Sequence, residues 1–276
     1  MSAEFRSGAV VEQWFRGRSR VLFVHAHPDD ETISTGGTLA ALAEAGREPL
    51  LITLTRGERG EVMAGPLQGL AQAHGLAVVR QNELKTALGM LGLERHAFLG
   101  VEPARAEGLP PVIYEDSGMA WGEDGRATTA ADVTADALTS VPAIEVLNDL
   151  LAGAYLSGAQ GIVSYDDGGG YGHPDHVLAH QLSRAVATAL GLPFWEISSL
   201  DHEAAAADDV VDELAGDPNE EPLFEEHDVS AWFDRKVAAL RAYATQLAVE
   251  GEEIVHVGGQ RQAIDRVESF RLRLRD

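Results

Sequence analysis

The sequence predicts an α/β protein, a mainly parallel sheet flanked by helices. Short continuous apolar runs recur along the chain, the mark of strands buried on both faces. Stretches of helical period separate them, so the strands must be joined by crossover connections. Two polar loops, HAHPDDE at 25–31 and YGHPDH at 171–176, each stand just past such an apolar run.

Taken in order, RVLFVHA (20–26) reads as the first strand, and GTLAALAEAG follows as a helix with Leu39, Leu42 and Ala43 on one face and Gly46 as its stop. PLLITLT (49–55) is the second strand, the stretch from Leu67 to Leu91 is helical, and AFLG (97–100) is a third strand. Pro142 opens a helix with Ile144, Leu147, Leu151 and Tyr155 inward, leading into the strand GIVSY (161–165). Pro174 suits the first turn of the next helix, with Leu178, Leu182 and Val186 inward, and PFWEIS (193–198) returns as a strand. Residues 201–228 hold twelve acids and no Lys or Arg, so this stretch reads as a solvated loop insert. Ser230 is then expected to cap a helix with Phe233, Val237, Leu240 and Leu247 inward, followed by a basic tail of no clear type. One domain over 1–276 is expected, with a Rossmann-like core at about 18–200 and a C-terminal helical extension over 229–276.

Composition narrows the function. With 276 residues, 45% of them apolar, the chain can bury a large core. Lys plus Arg number 21 against 44 Asp plus Glu, a net charge of −23 that repels phosphates and argues against nucleic acid or an anionic membrane as partner. A small neutral or cationic substrate is expected instead. The chain has no Cys, so there is no disulfide, no thiolate nucleophile and no Cys-ligated zinc; a metal would be held by His and carboxylates. Neither a secretory leader nor a run of ~20 uncharged apolar residues is evident, and a cytoplasmic location is expected. No G-x-S-x-G or P-loop occurs, and His173 stands where the third glycine of a dinucleotide loop would fall.

Loops at the carboxyl ends of parallel strands converge on one edge, so the two His-Pro-Asp tripeptides can form half-sites of one centre. His27, Asp30, His173 and His176 then offer a nitrogen and oxygen set suited to Zn²⁺ or Fe²⁺, with room for a water. Four such groups exceed what a three-ligand site needs. Asp29 fits the base that takes a proton from water, His173 an oxyanion donor or an acid towards the leaving amine, and Asp175 the partner that fixes the His173 ring. Helix capping explains either tripeptide alone; two at equivalent positions favour a metal. His25 and His180 read as packing and helix-face residues.

HAHPDDE, then TRGERGE after the second strand, then GGGYGHPDH resemble, in that order, the LmbE-like family of zinc-dependent N-acetylglucosaminyl deacetylases, which includes the phosphatidylinositol-glycan de-N-acetylases. RQNEL (80–84), DSGMA (116–120) and KVAALRAYATQ (236–246) extend the likeness to the branch that deacetylates N-acetylglucosaminyl-inositol in mycothiol biosynthesis. The resemblance implies one zinc per subunit on His27, Asp30 and His176, Asp29 as general base, and His173 with Asp175 behind it. It further implies that Tyr171 polarises the amide carbonyl from a glycine-rich movable loop, and that Arg80 and Asp116 bind sugar or inositol hydroxyls. Tyr243 stands where the family commonly has His, a change expected to touch packing only. The sister S-conjugate amidase typically carries a Lys after HPDDE; TISTGG has none, which favours the deacetylase. The rival readings are metal-assisted phosphoester hydrolysis and a metal-dependent glycan-binding module.

Overall fold

The computed structural model describes residues 10–121, 127–198 and 223–274. Strand β1 (Val21–His25) lies inside the seven-stranded main sheet and is buried along its whole length. It pairs in parallel with β2 (Leu50–Thr53) on one side and with β6 (Gly161–Ser164) on the other, and β3 (Arg95–Phe98) extends the sheet beyond β2. β7 (Phe194–Ser198) lies parallel beyond β6. The chain thus builds outwards from β1 in one direction, then returns to build in the other. β1 and β6 flank the point of reversal, where α/β sheets open a crevice at their carboxyl ends.

Alternation along the strands divides the core. Val21, Phe23 and Leu51 face helices α1 (Asp30–Glu44), α3 (Leu76–Leu91) and α6 (Phe233–Leu240); Leu22, Val24, Leu50 and Ile52 face α4 (Ala143–Ser157) and α5 (Pro174–Leu190). Fully buried side chains of this size contribute about 1.5–3 kcal/mol each.

Several expectations change. The helix over 67–91 is two helices, α2 (Pro66–His74) and α3, broken at Gly75. In α4 the predicted inward stripe faces outward at both ends, with Ile144 60% and Tyr155 72% exposed, while Val146, Leu150, Gly153 and Ala154 are buried. That helix carries two apolar stripes, and the one with small residues wins because it permits close approach: a Cβ on Gly153 would stand 2.7 Å from Ile52 Cδ1.

The acidic stretch ends as strand β8 (Leu223–Asp228) rather than loop, and its residues 201–222 lie outside the described residues. Here Glu225 accepts hydrogen bonds from the Trp195 indole at 3.1 Å and the Phe15 N–H at 2.7 Å. Ser230 makes no side-chain cap; its N–H is instead accepted by Asp228 at 3.0 Å, and a short 3-10 turn leads into α6. The C-terminal helix stops at Leu240 because tertiary bonds draw the next residues away: Glu83 accepts from the N–H of Thr245 at 2.8 Å and from its hydroxyl at 2.6 Å. Leu247 therefore begins a strand, β9 (Leu247–Glu250), of a small sheet with β10 (Glu253–His256) and β11 (Arg261–Ala263). The tail proves to be β12 (Val267–Leu274), inserted antiparallel between β7 and β8. A further hairpin, β4 (Met119–Trp121) with β5 (Ala127–Thr129), lies on the chain after Asp116. No helix among the described residues is long and apolar enough to cross a membrane.

Candidate metal centre

Because β1 and β6 are neighbours, the loops leaving their carboxyl ends meet. His27 Nδ1, His176 Nε2 and Asp30 Oδ2 form a triangle with all three sides 3.3 Å. A tetrahedral ion with bonds of about 2.0–2.1 Å needs donor separations of about 3.3–3.4 Å, so one face of such an ion matches this triangle.

Each donor is oriented from behind, as metal ligands require. His27 Nε2 contacts Asp175 Oδ2 at 3.1 Å, which places the ring proton on Nε2 and turns the Nδ1 lone pair to the triangle. His176 Nδ1 faces the Gly169 carbonyl at 3.3 Å, and its ring stacks on Tyr165 with centroids 4.0 Å apart. Asp30 accepts from the Tyr165 hydroxyl at 2.7 Å and from the His27 N–H at 2.9 Å. Gly169 has φ +64°, and a Cβ there would meet the Val177 nitrogen at 2.8 Å, so the carbonyl that aligns His176 depends on glycine.

His173 lies beside the triangle, its ring centroid 4.6 Å from that of His27 and 5.0 Å from that of His176. Its imidazole is 6% exposed, and its Nδ1 accepts the Asp175 N–H at 3.2 Å, leaving Nε2 as the N–H donor of a neutral ring. Here the expected pairing is corrected. The Asp175 carboxylate accepts from His27 and from the Ser117 N–H at 3.0 Å, and only its backbone fixes His173. The reason is that His173 occupies the N-cap of α5 and Pro174 its first position, so the Asp175 side chain points inward to His27 on the first loop.

Asp29 stands at the N-cap of α1 but makes no capping bond with its side chain. Tyr171, 51% exposed, sets its ring edge-on to His176 at 5.2 Å and to His173 at 6.1 Å. Arg80 is placed differently from the expectation: its guanidinium donates to the carbonyls of Gly57 and, at 2.9 Å, of Glu61, so its fork holds the TRGERGE loop. Asp116 caps its own turn by accepting the Gly118 N–H at 2.7 Å, and its Oδ1 lies 3.7 Å from His27 Nε2. His25 is buried against Thr35, and His180 pairs with Glu196 at 3.0 Å, both apart from the triangle as expected.

Sequence reasoning missed Tyr165 and Glu31. Tyr165 closes the strand GIVSY, and that position at a carboxyl strand end was the available signal. Glu31 is fully buried and accepts from the Tyr243 and Thr32 hydroxyls. Tyr243 is therefore a hydrogen-bonding residue as well as a packing one.

Electrostatics separate the groups. Burial opposes charge on His27, yet the carboxylates of Asp116, Asp175 and Asp30 prevail and hold its pKa well above the usual imidazole range. The same negative field favours a cation at Nδ1. Burial and the imidazoles of His27 and His176 push His173 down to about 3. Burial would raise Asp30, but His176 and His27 pull it well below the carboxylate range, whereas burial and the Asp30 charge raise Asp29 well above it, with Arg80 in partial opposition.

A nitrogen and oxygen triangle at the switch point of a parallel sheet, with an uncommitted carboxylate and a neutral imidazole beside it, is a candidate centre for metal-dependent hydrolysis. The GlcNAc-PI de-N-acetylase (PIG-L) family matches residues 22–187, more than half of the chain. A protein of Kineococcus radiotolerans described as 1D-myo-inositol 2-acetamido-2-deoxy-alpha-D-glucopyranoside deacetylase is 38% identical over 84% of this chain and 70% of its own. One of the same description from Tsukamurella paurometabola is 40% identical over 83% of this chain and 84% of its own. The crystal structure of a deacetylase–teicoplanin complex from the teicoplanin pathway shares the fold, with TM-score 0.59 at 19% identity over 93% of this chain and 98% of that one. The chain belongs to the PIG-L deacetylase family.

Proposed function

We propose that the protein hydrolyses the acetamide of N-acetylglucosaminyl-inositol, giving acetate and glucosaminyl-inositol, the deacetylation step of mycothiol biosynthesis. The observation that carries this reading is the 3.3 Å triangle of His27, Asp30 and His176 with Asp29 beside it, in a chain 38–40% identical to inositol-glucosaminide deacetylases. A zinc or ferrous ion held by those three side chains would supply Lewis acidity, acidifying water towards ~7 and polarising the acetamide carbonyl.

The chain's own groups do the remaining work. Asp29, unengaged by its helix, takes the proton of the attacking water as the C–O bond forms. Its raised pKa lets it retain that proton and pass it to the amide nitrogen as the C–N bond breaks; the second water proton stays on the new acid, which ionises to acetate by giving it to the released amine or to solvent. His173, neutral with its proton on Nε2, donates to the developing oxyanion, and the half-exposed Tyr171 hydroxyl donates from the open side. Asp175 keeps His27 in the tautomer that frees Nδ1. Asp116 stands within the same polar wall, where its second oxygen serves a sugar or inositol hydroxyl, while Arg80 keeps the TRGERGE loop in place beneath it.

The test is to strip the protein, reload it with Zn²⁺ or Fe²⁺, and follow free amine from N-acetylglucosaminyl-inositol. Amine release that requires the metal supports the reading. Release only from a cysteinyl conjugate would make the protein an S-conjugate amidase, and binding without release would make it a glycan-binding module.

A further inference from the structure

Asp29 has φ 112° and ψ −34°, a backbone conformation that a residue with a Cβ rarely adopts. An Asp at an N-cap ordinarily turns its carboxylate back onto the helix N–H groups; this one does not. The reciprocal half of the usual capping arrangement is present instead: the Asp29 N–H is accepted by Glu31 Oε2 at 3.1 Å. Glu31 is itself fixed from the far side, since its other oxygen accepts the hydroxyls of Thr32 and Tyr243. Tyr243 and Glu31 are both fully buried, and Tyr243 reaches Glu31 from the segment beyond α6, 212 residues away in sequence. That segment is anchored in turn: Thr245 is bound by Glu83 at 2.8 and 2.6 Å, and its carbonyl accepts the Met63 N–H at 2.9 Å beside the TRGERGE loop.

We propose that Tyr243 and Glu31 are positioning residues for Asp29. Glu31 holds the Asp29 N–H away from the cavity, and the Tyr243 hydroxyl keeps Glu31 in the rotamer that does so. The first-turn N–H groups of Thr32 and Ile33 go to the Asp29 carbonyl at 3.0 and 2.9 Å, and the Asp29 carboxylate remains free for proton transfer. Outliers of this kind persist only where their surroundings over-determine them, and here the surroundings are a buried carboxylate with three hydrogen-bonded neighbours. The inference rests on the reading of Asp29 as the base.

The test is a mutant cycle on the metal-loaded protein with N-acetylglucosaminyl-inositol, comparing Tyr243→Phe, Asp29→Asn and the double variant. Tyr243→Phe keeps the ring in its packing and removes only the hydroxyl. It is expected to lower kcat by about 10- to 100-fold while KM and bound metal stay unchanged. In the Asp29→Asn background the same change is expected to cost nothing further, because the group it positions is gone. A Tyr243→Phe variant with full kcat, or one losing the same factor in both backgrounds, overturns the proposal and leaves the base assignment standing. An Asp29→Asn variant with wild-type kcat overturns both. Should Tyr243→Phe fold poorly, Glu31→Gln enters the same cycle, with loss of kcat confined to the Asp29 background as the supporting result and full or background-independent activity as the refuting one.

Discussion

The two loops HAHPDDE and GYGHPDH contain the same tripeptide and use it differently. In the first, His27 is a corner of the donor triangle, Asp29 is the N-cap, and Asp30, the first helical residue, is another corner. In the second, His173 is the N-cap, Pro174 is the first helical residue, and the third corner falls on His176. The helix starts one residue after the tripeptide in one loop and inside it in the other. That shift in helix start, and not residue type, decides which histidine joins the 3.3 Å triangle and which carboxylate is left without a side-chain partner. Asp29 makes no capping bond with its side chain, whereas Asp175 is buried behind His27.

The largest effect expected from this asymmetry is that of Asp29→Asn. Its kcat falls by about 10²–10⁴-fold, the usual worth of a general base, while metal content measured by atomic emission stays at the wild-type level. Asp175→Asn has the opposite signature: metal affinity falls by about 10–100-fold, measured by chelator competition, and excess metal restores much of the rate. If both variants behaved alike, the difference between the loops would be lost.

The histidines provide a third contrast. In metal-stripped protein His27 is held protonated by its carboxylates, while His173, at about 3, stays neutral until the pH is very low. An unfolded chain protonates a histidine near 6.5, so the stability tied to a neutral His173 is complete above that value and lost as pH falls from about 6.5 to about 3. Imidazole NMR titration of the two rings checks the order, and urea midpoints of wild type and His173→Gln across that range check the linkage. Last, Gly169→Ala is expected to cost about 1–3 kcal/mol through its φ of +64° and the contact with Val177, read by thermal denaturation, with weaker metal binding as the Gly169 carbonyl leaves His176. The equivalent change at Gly170, where a Cβ meets nothing within 4 Å, keeps the metal.

Much of this was legible beforehand. Continuous apolar runs marked β1, β2, β6 and β7, because a strand covered by helices on both faces has no polar side to display. Reading two remote polar loops as one centre followed from parallel connectivity alone. Less legible were the α4 face, the end of α6 and the placement of β8 and β12. Each was settled by a partner distant in sequence: Ile52 against Gly153, Glu83 against Thr245, and β7 against a tail whose alternating Arg and Leu gave no sign of a central strand. Arg80 and Asp175 were legible as site-proximal residues but not in their attachments, since the loop carbonyls and His27 compete for them.

By itself, the sequence determined the class of fold, the donor types and the order of the loops, all of which depend on local periodicity and residue chemistry. Tertiary structure decided which atoms face the triangle. It set where each helix begins, drew Asp175 to His27 rather than His173, and brought Tyr243 to Glu31. Those choices depend on buried polar groups finding their partners across the fold, and a buried group takes whichever partner the packing brings within about 3 Å.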